Sequence, residues 1–384
     1  MSIKLNDEQL MIQTMVRDFS REVIAPSAIE RDKKKEFPAE ILKKLGELGF
    51  MGMMVPPEYN GSGADTISYV LALSEVAYSC ASTAVAMSVH NSIVCESMLR
   101  FGTEDQKERY LKPLASGKIL GAFAMTEPHA GSDPVRQSTK AERDGDDYIL
   151  NGTKRFITTG KNAGLVIVTT KTDVDKRHKG ISTFIVKKDN PGMIAGNLED
   201  KMGLRASDTT DLIFEDCRVP VKDRLGEEGD GFKIAMTGLD GGRIGIAAQS
   251  IGVAQAAMDA AVQYTKEREQ FGQLVSKFQG LRWMVADMAT EIEAARQLTL
   301  SAAAMKDRGE NYTLQASMAK LFASEMVNRV TAKAVQLHGG YGFIREYPVE
   351  RFYRDARVFT IYEGTSEIQR VVISNQIFRD KRAL

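Results

Sequence analysis

The chain has 384 residues, of which 43% are hydrophobic and 27% are charged, a composition typical of a globular protein of roughly two to three domains. Its 51 basic and 51 acidic side chains cancel, so composition predicts no nucleic-acid partner. No apolar run approaches the roughly 18 residues of a membrane span, so no membrane partner is expected. The start, MSIKLNDEQL, lacks an apolar signal core, and Cys80, Cys95 and Cys217 show no paired spacing. These features predict a cytoplasmic protein.

The first third of the chain has the pattern of helices. Asn6 is a good N-cap for a first helix, and Ala25-Pro26 is expected to end it. The apolar side chains of this helix recur at four-residue steps on one face: Met11, Met15, Phe19 and Val23. A second helix is expected from Pro38, and helical spacing returns over 66–88. Thr103 begins a sequence that predicts a capping box for another helix.

Beyond Ile119 the pattern is that of strands. Asn151-Gly152 separates two apolar segments and predicts a hairpin turn, because both turn positions favour positive φ. Segments rich in β-branched residues predict three more strands, at 165–170, 181–186 and 212–214. From Asp230 onward helical periodicity returns in two long apolar stripes, 281–298 and 313–337, which are expected to pack in a bundle.

The order of helices, strands and helices predicts an α+β fold with domains at 1–118, 119–230 and 231–384. The sequence contains no G-x-G-x-x-G fingerprint, no P-loop and no G-x-S-x-G elbow. The histidines are isolated and lack the spacing of metal ligands: His90, His129, His178 and His338. A Rossmann enzyme, a hydrolase, a kinase and a zinc enzyme are therefore disfavoured, and no metal is expected.

One candidate functional residue lies near the C-terminus. Glu363 follows the apolar, aromatic run 358–362 and precedes Gly364-Thr365-Ser366. A carboxyl group beside aromatic side chains can have a raised pKa, which suits a general base near neutral pH. Alternatively, Glu363 complements the dipole of the next helix, where Ser366 and Gln369 predict a capping box. Spacing alone favours this second interpretation.

Two further segments have a functional and a structural interpretation. The loop 126–133 is rich in hydroxyl and backbone donors, so it can hold a planar ring or a phosphate, or form an ordinary turn. Glycines in 336–342 interrupt a helical run, and they either let the backbone approach a ligand or form a helix C-cap. The residues of each segment leave both interpretations open.

Six motifs occur in order along the chain: FAMTEPHAGSD from Phe123, KMGLRAS from Lys201, LDGGRIG from Leu239, REQFG from Arg268, QLHGGYG from Gln336 and IYEGTSEIQR from Ile361. Over essentially its whole length the chain therefore resembles the acyl-CoA dehydrogenase family. The resemblance implies an all-α N-terminal domain, a middle antiparallel β domain and a C-terminal four-helix bundle. It also implies non-covalent FAD, an acyl-CoA thioester substrate and a homo-oligomer, usually a tetramer that is a dimer of dimers.

By this resemblance, Glu363 removes the pro-R α-proton of the acyl group while a hydride leaves the β-carbon for flavin N5, giving a trans-2-enoyl-CoA. The backbone N–H of Glu363 is expected to bind the thioester carbonyl. Substrate contacts are implied for Ser132, Asp240, Arg243 (near the adenine end of CoA), Tyr362 and Gly364. The resemblance implies FAD contacts, around the isoalloxazine and elsewhere, for Phe123, Met125, Thr126, Gly131, Ser132, Phe156, Ile157, Thr158, Thr365, Ser366 and Glu367. Those implied from a neighbouring subunit, for the pyrophosphate and adenosine, are Arg268, Gln270, Phe271, Gln279, Gln336, Leu337, His338, Gly339 and Gly340.

Similarity to short-chain and butyryl-type members implies a short acyl chain, with electrons passing to electron-transferring flavoprotein. Alternatives are a branched, cyclic, aromatic or dicarboxylic acyl-CoA, an enoyl-CoA reductase working in reverse, and a flavin-bound acyl-CoA-binding protein without turnover. Gly241-Gly242 occupies the segment in which branched-chain members carry a relocated base, so that arrangement is disfavoured here. Phe156 stands where many members have Trp, and His129 is assigned no role.

Overall fold

The computed structural model describes residues 4–379. Residues 1–3 and 380–384 lie outside the description, and with them the outer ends of the first and third predicted domains. The chain forms N-terminal helices, a central sheet and C-terminal helices, which confirms the predicted α+β order. Within 4–379, no helix is both long and apolar enough to cross a membrane.

Within the described residues, eight α-helices form the N-terminal part, and three of them begin after a residue whose side chain caps the first turn. The eight are α1 (Asp7–Phe19), α2 (Ala28–Lys34), α3 (Ala39–Glu47), α4 (Thr66–Ser79), α5 (Ala81–Val89), α6 (Glu96–Phe101), α7 (Glu104–Gln106) and α8 (Lys112–Ala115). Asn6 caps α1 as predicted, because its side chain accepts from the backbone N of Gln9 at 2.8 Å. The predicted capping box at Thr103 is also present, with Oγ1 accepting from the backbone N of Gln106 at 3.2 Å.

The first helical segment does not end at Ala25-Pro26, as predicted. After α1 the backbone continues through a π-helical turn, Ser20–Ile24, and a 3₁₀ turn, Ala25–Ser27, into α2. Proline is tolerated here because it lies in the first turn of a new short helix, where its missing N–H interrupts no intrahelical bond.

Only half of the apolar stripe predicted for the first helix packs against the core: Phe19 and Val23 do, and the two methionines do not. Met11 and Met15 are 64% and 42% exposed, whereas Gln9 and Val16 are buried. Nε2 of Gln9 donates to the carboxylate of Asp65 at 2.7 Å, so the buried amide has a partner. The buried side of the helix therefore includes a polar contact, which hydrophobic spacing did not indicate.

The central sheet is mostly antiparallel. Its strands are β1 (Gly121–Ala124), β2 (Lys140–Asp144), β3 (Asp147–Thr158), β4 (Leu165–Lys171), β5 (Ile181–Lys187), β6 (Met193–Leu198), β7 (Thr209–Pro220) and β8 (Arg224–Leu225). Their order is β6-β7-β3-β2-β4-β5-β8, and β4 has parallel pairings with β1 and β2. Leu165 and Ile167 of β4 face the helical core, while Val166 and Val168 face the core of the sheet. Both faces of this strand are therefore buried, which explains its continuous apolar sequence.

The hairpin turn predicted at Asn151-Gly152 is wrong. Strand β3 runs through both residues, and the turn between β2 and β3 lies at Gly145-Asp146. Gly152 has a φ of 147° where the register of β3 against β7 shifts. A Cβ at this position would lie 2.7 Å from Cα of Thr139, so close backbone packing rather than a turn requires the glycine.

The C-terminal part is a helical bundle that shares one core with the N-terminal helices. Its elements are α9 (Gly231–Glu267), the hairpin of β9 (Glu269–Gln270) and β10 (Gln273–Leu274), α10 (Gln279–Asp307), α11 (Thr313–His338), α12 (Val349–Ala356) and α13 (Ser366–Arg379). Helices α9, α10 and α11 pack on one another, α13 packs on α11, and α4 packs on α9. The two predicted apolar stripes lie within α10 and α11.

Candidate active site

Glu363 lies in the short turn between the 3₁₀ segment Arg357–Thr360 and α13. The turn has two successive positive φ angles, 54° at Glu363 and 89° at Gly364. Residues other than glycine rarely adopt this conformation. Oε2 of Glu363 is shielded from solvent and has no hydrogen-bond partner among the described residues.

The surroundings of Glu363 make it a proton acceptor matched to neutral pH. Burial disfavours the charged form and raises the pKa of Glu363 to about 7, against the opposing positive charges of Lys320 and Arg243. A carboxyl group with this pKa is ionised in a substantial fraction of molecules near pH 7 and is more basic than an exposed carboxylate.

The wall that faces Glu363 is a glycine-rich stretch of α9. A Cβ built on Gly242 would lie 2.6 Å from Oε2 of Glu363 and 3.4 Å from Cδ1 of Ile93. A Cβ on Gly241 would lie 3.0 Å from the carbonyl oxygen of Ser92. The absence of a side chain at 242 therefore leaves the space that the carboxylate occupies.

The capping box predicted at Ser366 is wrong, because the N-cap of α13 is one residue earlier and no capping box forms there. Oγ1 of Thr365 accepts from a backbone N–H in the first turn of α13 at 3.3 Å, so Thr365 is the N-cap. Nε2 of Gln369 instead donates to the carbonyl oxygens of Glu363 at 3.2 Å and Gly364 at 3.0 Å. The Gln369 amide thus holds the turn that carries Glu363.

Lys320 of α11 is a residue of this site that the sequence analysis missed. Its side chain is completely buried, and Nζ donates to the carbonyl oxygen of Gly364 at 2.7 Å. Burial lowers the pKa of Lys320 to about 8, against the raising effect of the Glu363 charge. The sequence did contain one indication that Lys320 is buried: it lies among small residues of α11 that are also buried. These include Ala316, Ser317, Ala319, Ala323 and Ser324.

Asp240 and Arg243 lie one turn apart on α9 and form an ion pair in which Arg243 is buried and Asp240 is half-buried. Arg243 also donates to Oγ of Ser317 at 3.3 Å, and Asp240 accepts from Oγ1 of Thr313 at 2.7 Å. Burial raises the pKa of Asp240, although the charge of Arg243 opposes the shift. Tyr362, the neighbour of Glu363, donates from its hydroxyl to a glutamine of α9 at 2.6 Å. The predicted substrate residues of α9 thus lie on the same side of the bundle as Glu363.

A second group of predicted residues lies where β1 ends beside β3. The backbone N of Arg155 donates to the carbonyl oxygen of Thr126 at 2.7 Å and joins the two segments. Phe156 is 56% exposed, whereas Ile157 is buried in the core of the sheet and offers only its backbone to a ligand. The remaining members are half-exposed or exposed: Phe123, Met125, Thr126, Thr158, Gly131 and Ser132.

A buried ion pair holds the backbone of this second group in place. Nζ of Lys154 donates to Glu127 at 2.8 Å and to the carbonyl oxygen of Met125 at 3.1 Å, and both charged side chains are essentially inaccessible. Glu127 also accepts from Ser138 and Thr139. Burial alone would raise the pKa of Glu127, but Lys154 and these donors outweigh it and hold the pKa at about 2.

Replacing Lys154 by Met is expected to lower the free energy of unfolding by about 3–5 kcal/mol, because it leaves the Glu127 charge buried without a counterion. Chemical denaturation measures the loss, and Lys140→Met on exposed β2 serves as the matched control. The double variant Glu127→Gln/Lys154→Met should recover much of the stability. A single variant as stable as the wild type would show that the pair is not ionised.

A third group lines a surface cavity of about 480 Å³ at the C-terminal end of α11. The cavity contains most of the residues predicted for the pyrophosphate and adenosine: Arg268, Gln270, Gln336, Leu337, His338, Gly339 and Gly340. His338 is buried, stacks on Tyr264 with ring centroids 4.4 Å apart, and has its pKa lowered by burial. Among the described residues, those lining the cavity include none of the Glu363 turn and none of β1 or β3.

The structure does not bring all predicted residues together. Phe271 is 94% exposed and Gln279 is exposed, and neither lines the cavity. Ser366, the first residue of α13, is buried, while Glu367 is exposed. Within 4–379, no three His, Cys, Asp or Glu side chains gather as metal ligands.

Comparisons with known proteins agree with the order of N-terminal helices, central sheet and C-terminal helices along the chain. Family models described as the N-terminal, middle and C-terminal domains of acyl-CoA dehydrogenase match residues 6–118, 122–217 and 229–378. The chain is similar to a short-chain specific acyl-CoA dehydrogenase of Clostridium acetobutylicum, with 49% identity over 99% of this chain and 100% of the relative.

Two solved structures are also similar over nearly the whole chain. Butyryl-CoA dehydrogenase of Megasphaera elsdenii has a TM-score of 0.97 and 45% identity, covering 99% of this chain and 100% of that one. A chain from a study of the electron-transferring flavoprotein of Acidaminococcus fermentans and electron bifurcation has a TM-score of 0.98 and 49% identity, with the same coverage. With all three of its domains matched, the chain belongs to the acyl-CoA dehydrogenase family.

Proposed function

We propose that this protein is an FAD-dependent acyl-CoA dehydrogenase that converts a short-chain acyl-CoA to the trans-2-enoyl-CoA. The observation that carries the proposal is the Glu363 carboxylate, whose Oε2 is shielded from solvent against Gly242 and whose pKa is raised by burial to about 7. Carboxylates at helix starts are ordinarily solvated, so this environment favours a general base over a helix cap.

In the proposed reaction, Oε2 of Glu363 takes the α-proton of the acyl group as the β-carbon loses a hydride. An α-proton is too weakly acidic for a carboxylate unless the developing enolate is stabilised. The backbone N–H of Glu363 is proposed to donate to the thioester carbonyl and thereby to stabilise that negative charge. Bound FAD supplies the hydride acceptor, its N5 atom. The closed surroundings of Oε2 exclude water, which strengthens both interactions.

The residues present fit FAD. The joined ends of β1 and β3 offer Met125, Thr126 and the exposed ring of Phe156 to a planar ring system. The cavity at the end of α11 combines the guanidinium of Arg268 with backbone at Gly339 and Gly340, where a Cβ would meet no atom within 4 Å. A cation beside open backbone is the chemistry that binds a diphosphate.

The two FAD groups of residues are proposed to come from different subunits of a homotetramer, a dimer of dimers. The exposed Phe271 and Gln279 would then contact the cofactor of the neighbouring subunit.

We further propose electron-transferring flavoprotein as the electron acceptor and a cytoplasmic location. The similarity to a chain studied with that flavoprotein supports the choice of electron acceptor. The three cysteines form no disulfide, which supports the cytoplasmic location. The domain limits 1–118, 119–230 and 231–384 belong to the same proposal.

The purified protein is expected to carry FAD, and butyryl-CoA is expected to bleach it under anaerobic conditions. A panel of straight, branched, cyclic and dicarboxylic acyl-CoA thioesters, compared by kcat/KM, should rank the four-carbon thioester near the top. Each methylene that does not fit a pocket changes binding by about 1–3 kcal/mol, so preferences of 10-fold or more are expected. A colourless protein, or a flavin that no thioester reduces, would contradict the proposal.

A further inference from the structure

The backbone that carries Glu363 needs external support. Two successive residues with positive φ, one of them not glycine, form a turn that an isolated peptide rarely populates. The carbonyl oxygens of Glu363 and Gly364 point to two buried side chains. The amide of Gln369 donates to both carbonyl oxygens, and the ammonium of Lys320 donates to the carbonyl oxygen of Gly364 at 2.7 Å.

Lys320 is an unusual choice for such a contact. A fully buried ammonium normally has a carboxylate partner, yet this one donates to a neutral carbonyl oxygen. The charges that face it come from three helices: Arg243 on α9, Glu325 on α11 itself and Glu367 on α13, together with Glu363 in the turn. Since a neutral glutamine already binds the same oxygen, a hydrogen bond alone does not require a charge here.

We propose that Lys320 is a positioning residue of the proposed dehydrogenase, an inference that rests on that function. Its ammonium holds the Gly364 carbonyl and so directs the Glu363 side chain into the space left by Gly242. The same ammonium supplies the nearby positive charge that favours the ionised form of the Glu363 carboxylate, whose Oε2 is shielded from solvent. Arg243 acts in the same direction, but its charge is shared with Asp240 in an ion pair.

The electrostatics of Glu363 agree with this assignment. Burial raises the pKa of Glu363, and Lys320 is the larger of the two charges that oppose the rise. Removing the ammonium should therefore move the pKa further upward. Since the base acts only when deprotonated, half-maximal reaction would then need a higher pH.

Three variants separate the charge from the hydrogen bond. In Lys320→Met both are lost, in Lys320→Gln an amide donor remains without charge, and Gln369→Leu removes only neutral hydrogen bonds. Lys333→Met is the matched control, because Lys333 lies on the same helix and pairs with Asp287 and Glu291 of α10 at its surface. Two readouts are needed: an infrared titration of the Glu363 carboxyl without substrate, assigned by its loss in Glu363→Gln, and the pH profile of flavin reduction by butyryl-CoA.

Lys320→Met is expected to raise the pKa of Glu363 by about one unit and to lower the plateau rate on the order of 10²-fold. Lys320→Gln should show the same rise in pKa with a plateau within about tenfold of wild type, whereas Gln369→Leu should lose rate without the rise. Lys320→Gln decides the charge effect by itself if Lys320→Met does not fold. An unshifted infrared titration in Lys320→Gln overturns the proposal. If the Glu363 carboxyl of the wild type titrates near pH 7 but butyryl-CoA does not reduce the flavin, the proposed function is refuted instead.

Discussion

Replacing Glu363 by Gln is expected to lower the rate of flavin reduction by butyryl-CoA on the order of 10⁴-fold. The amide has nearly the shape of the carboxylate but cannot accept the α-proton, so binding and fold should persist while the chemistry stops. Rapid-mixing measurement of flavin bleaching gives the rate, and the same substitution at exposed Glu310 is the control. Bleaching by Glu363→Gln at the wild-type rate would show that another group is the base.

The same variant should be more stable than the wild type at alkaline pH, which separates loss of chemistry from loss of fold. A carboxyl group whose pKa rises from 4.5 to about 7 on folding stabilises the folded protein fully only below pH 4.5. That stabilisation disappears as the pH rises through 7, and the difference amounts to about 3 kcal/mol. Glu363→Gln carries no such charge, so its advantage in unfolding free energy should grow from about pH 4.5 to about pH 7 and then level off.

Gly242→Ala is expected to lower kcat on the order of 10²-fold without destabilising the protein. The new Cβ would lie 2.6 Å from Oε2 of Glu363, and the atom that must move is the end of a flexible side chain. The carboxylate is therefore displaced while the fold remains, and alanine also favours the helix.

Gly241→Ala is the matched control for this prediction, because its Cβ would meet the Ser92 carbonyl oxygen and no atom of Glu363. Thermal unfolding and flavin content should be measured for both variants beside kcat. Equal losses of kcat in the two variants would mean that helix packing, rather than the position of the carboxylate, determines the rate.

Periodicity predicted the larger features of the fold because they depend on burial of apolar faces. The order of helices, strands and helices and the two long stripes of the bundle are of this kind. Features that depend on one tertiary contact were not predictable. Gly152 serves the close approach of Thr139 rather than a turn, and the buried side of α1 includes the bond between Gln9 and Asp65.

The candidate site likewise has one residue that the sequence indicated and one that it did not. An aromatic run before Glu363 indicated a possible base, but spacing alone favoured a helix cap, and only the family motifs pointed to catalysis. Lys320 carried no such motif, since a lysine within a helix ordinarily indicates the solvent face. Its burial depends on α9 and α13 closing over α11, which no local pattern records.

The glycines of α9 have a consequence for how the protein folds. Gly238, Gly241, Gly242 and Gly245 make room for neighbouring atoms of α4, α5, the segment 92–97 and Glu363, and each lowers helix propensity by about 1 kcal/mol relative to alanine. The stretch that forms the wall of the site is therefore a weak helix by itself. It depends on the helices that pack around it, so the wall is completed only when the N-terminal and C-terminal helices have joined in their common core. Folding is thus coupled to site assembly: a partly folded chain that lacks this core also lacks the surface against which Glu363 is placed.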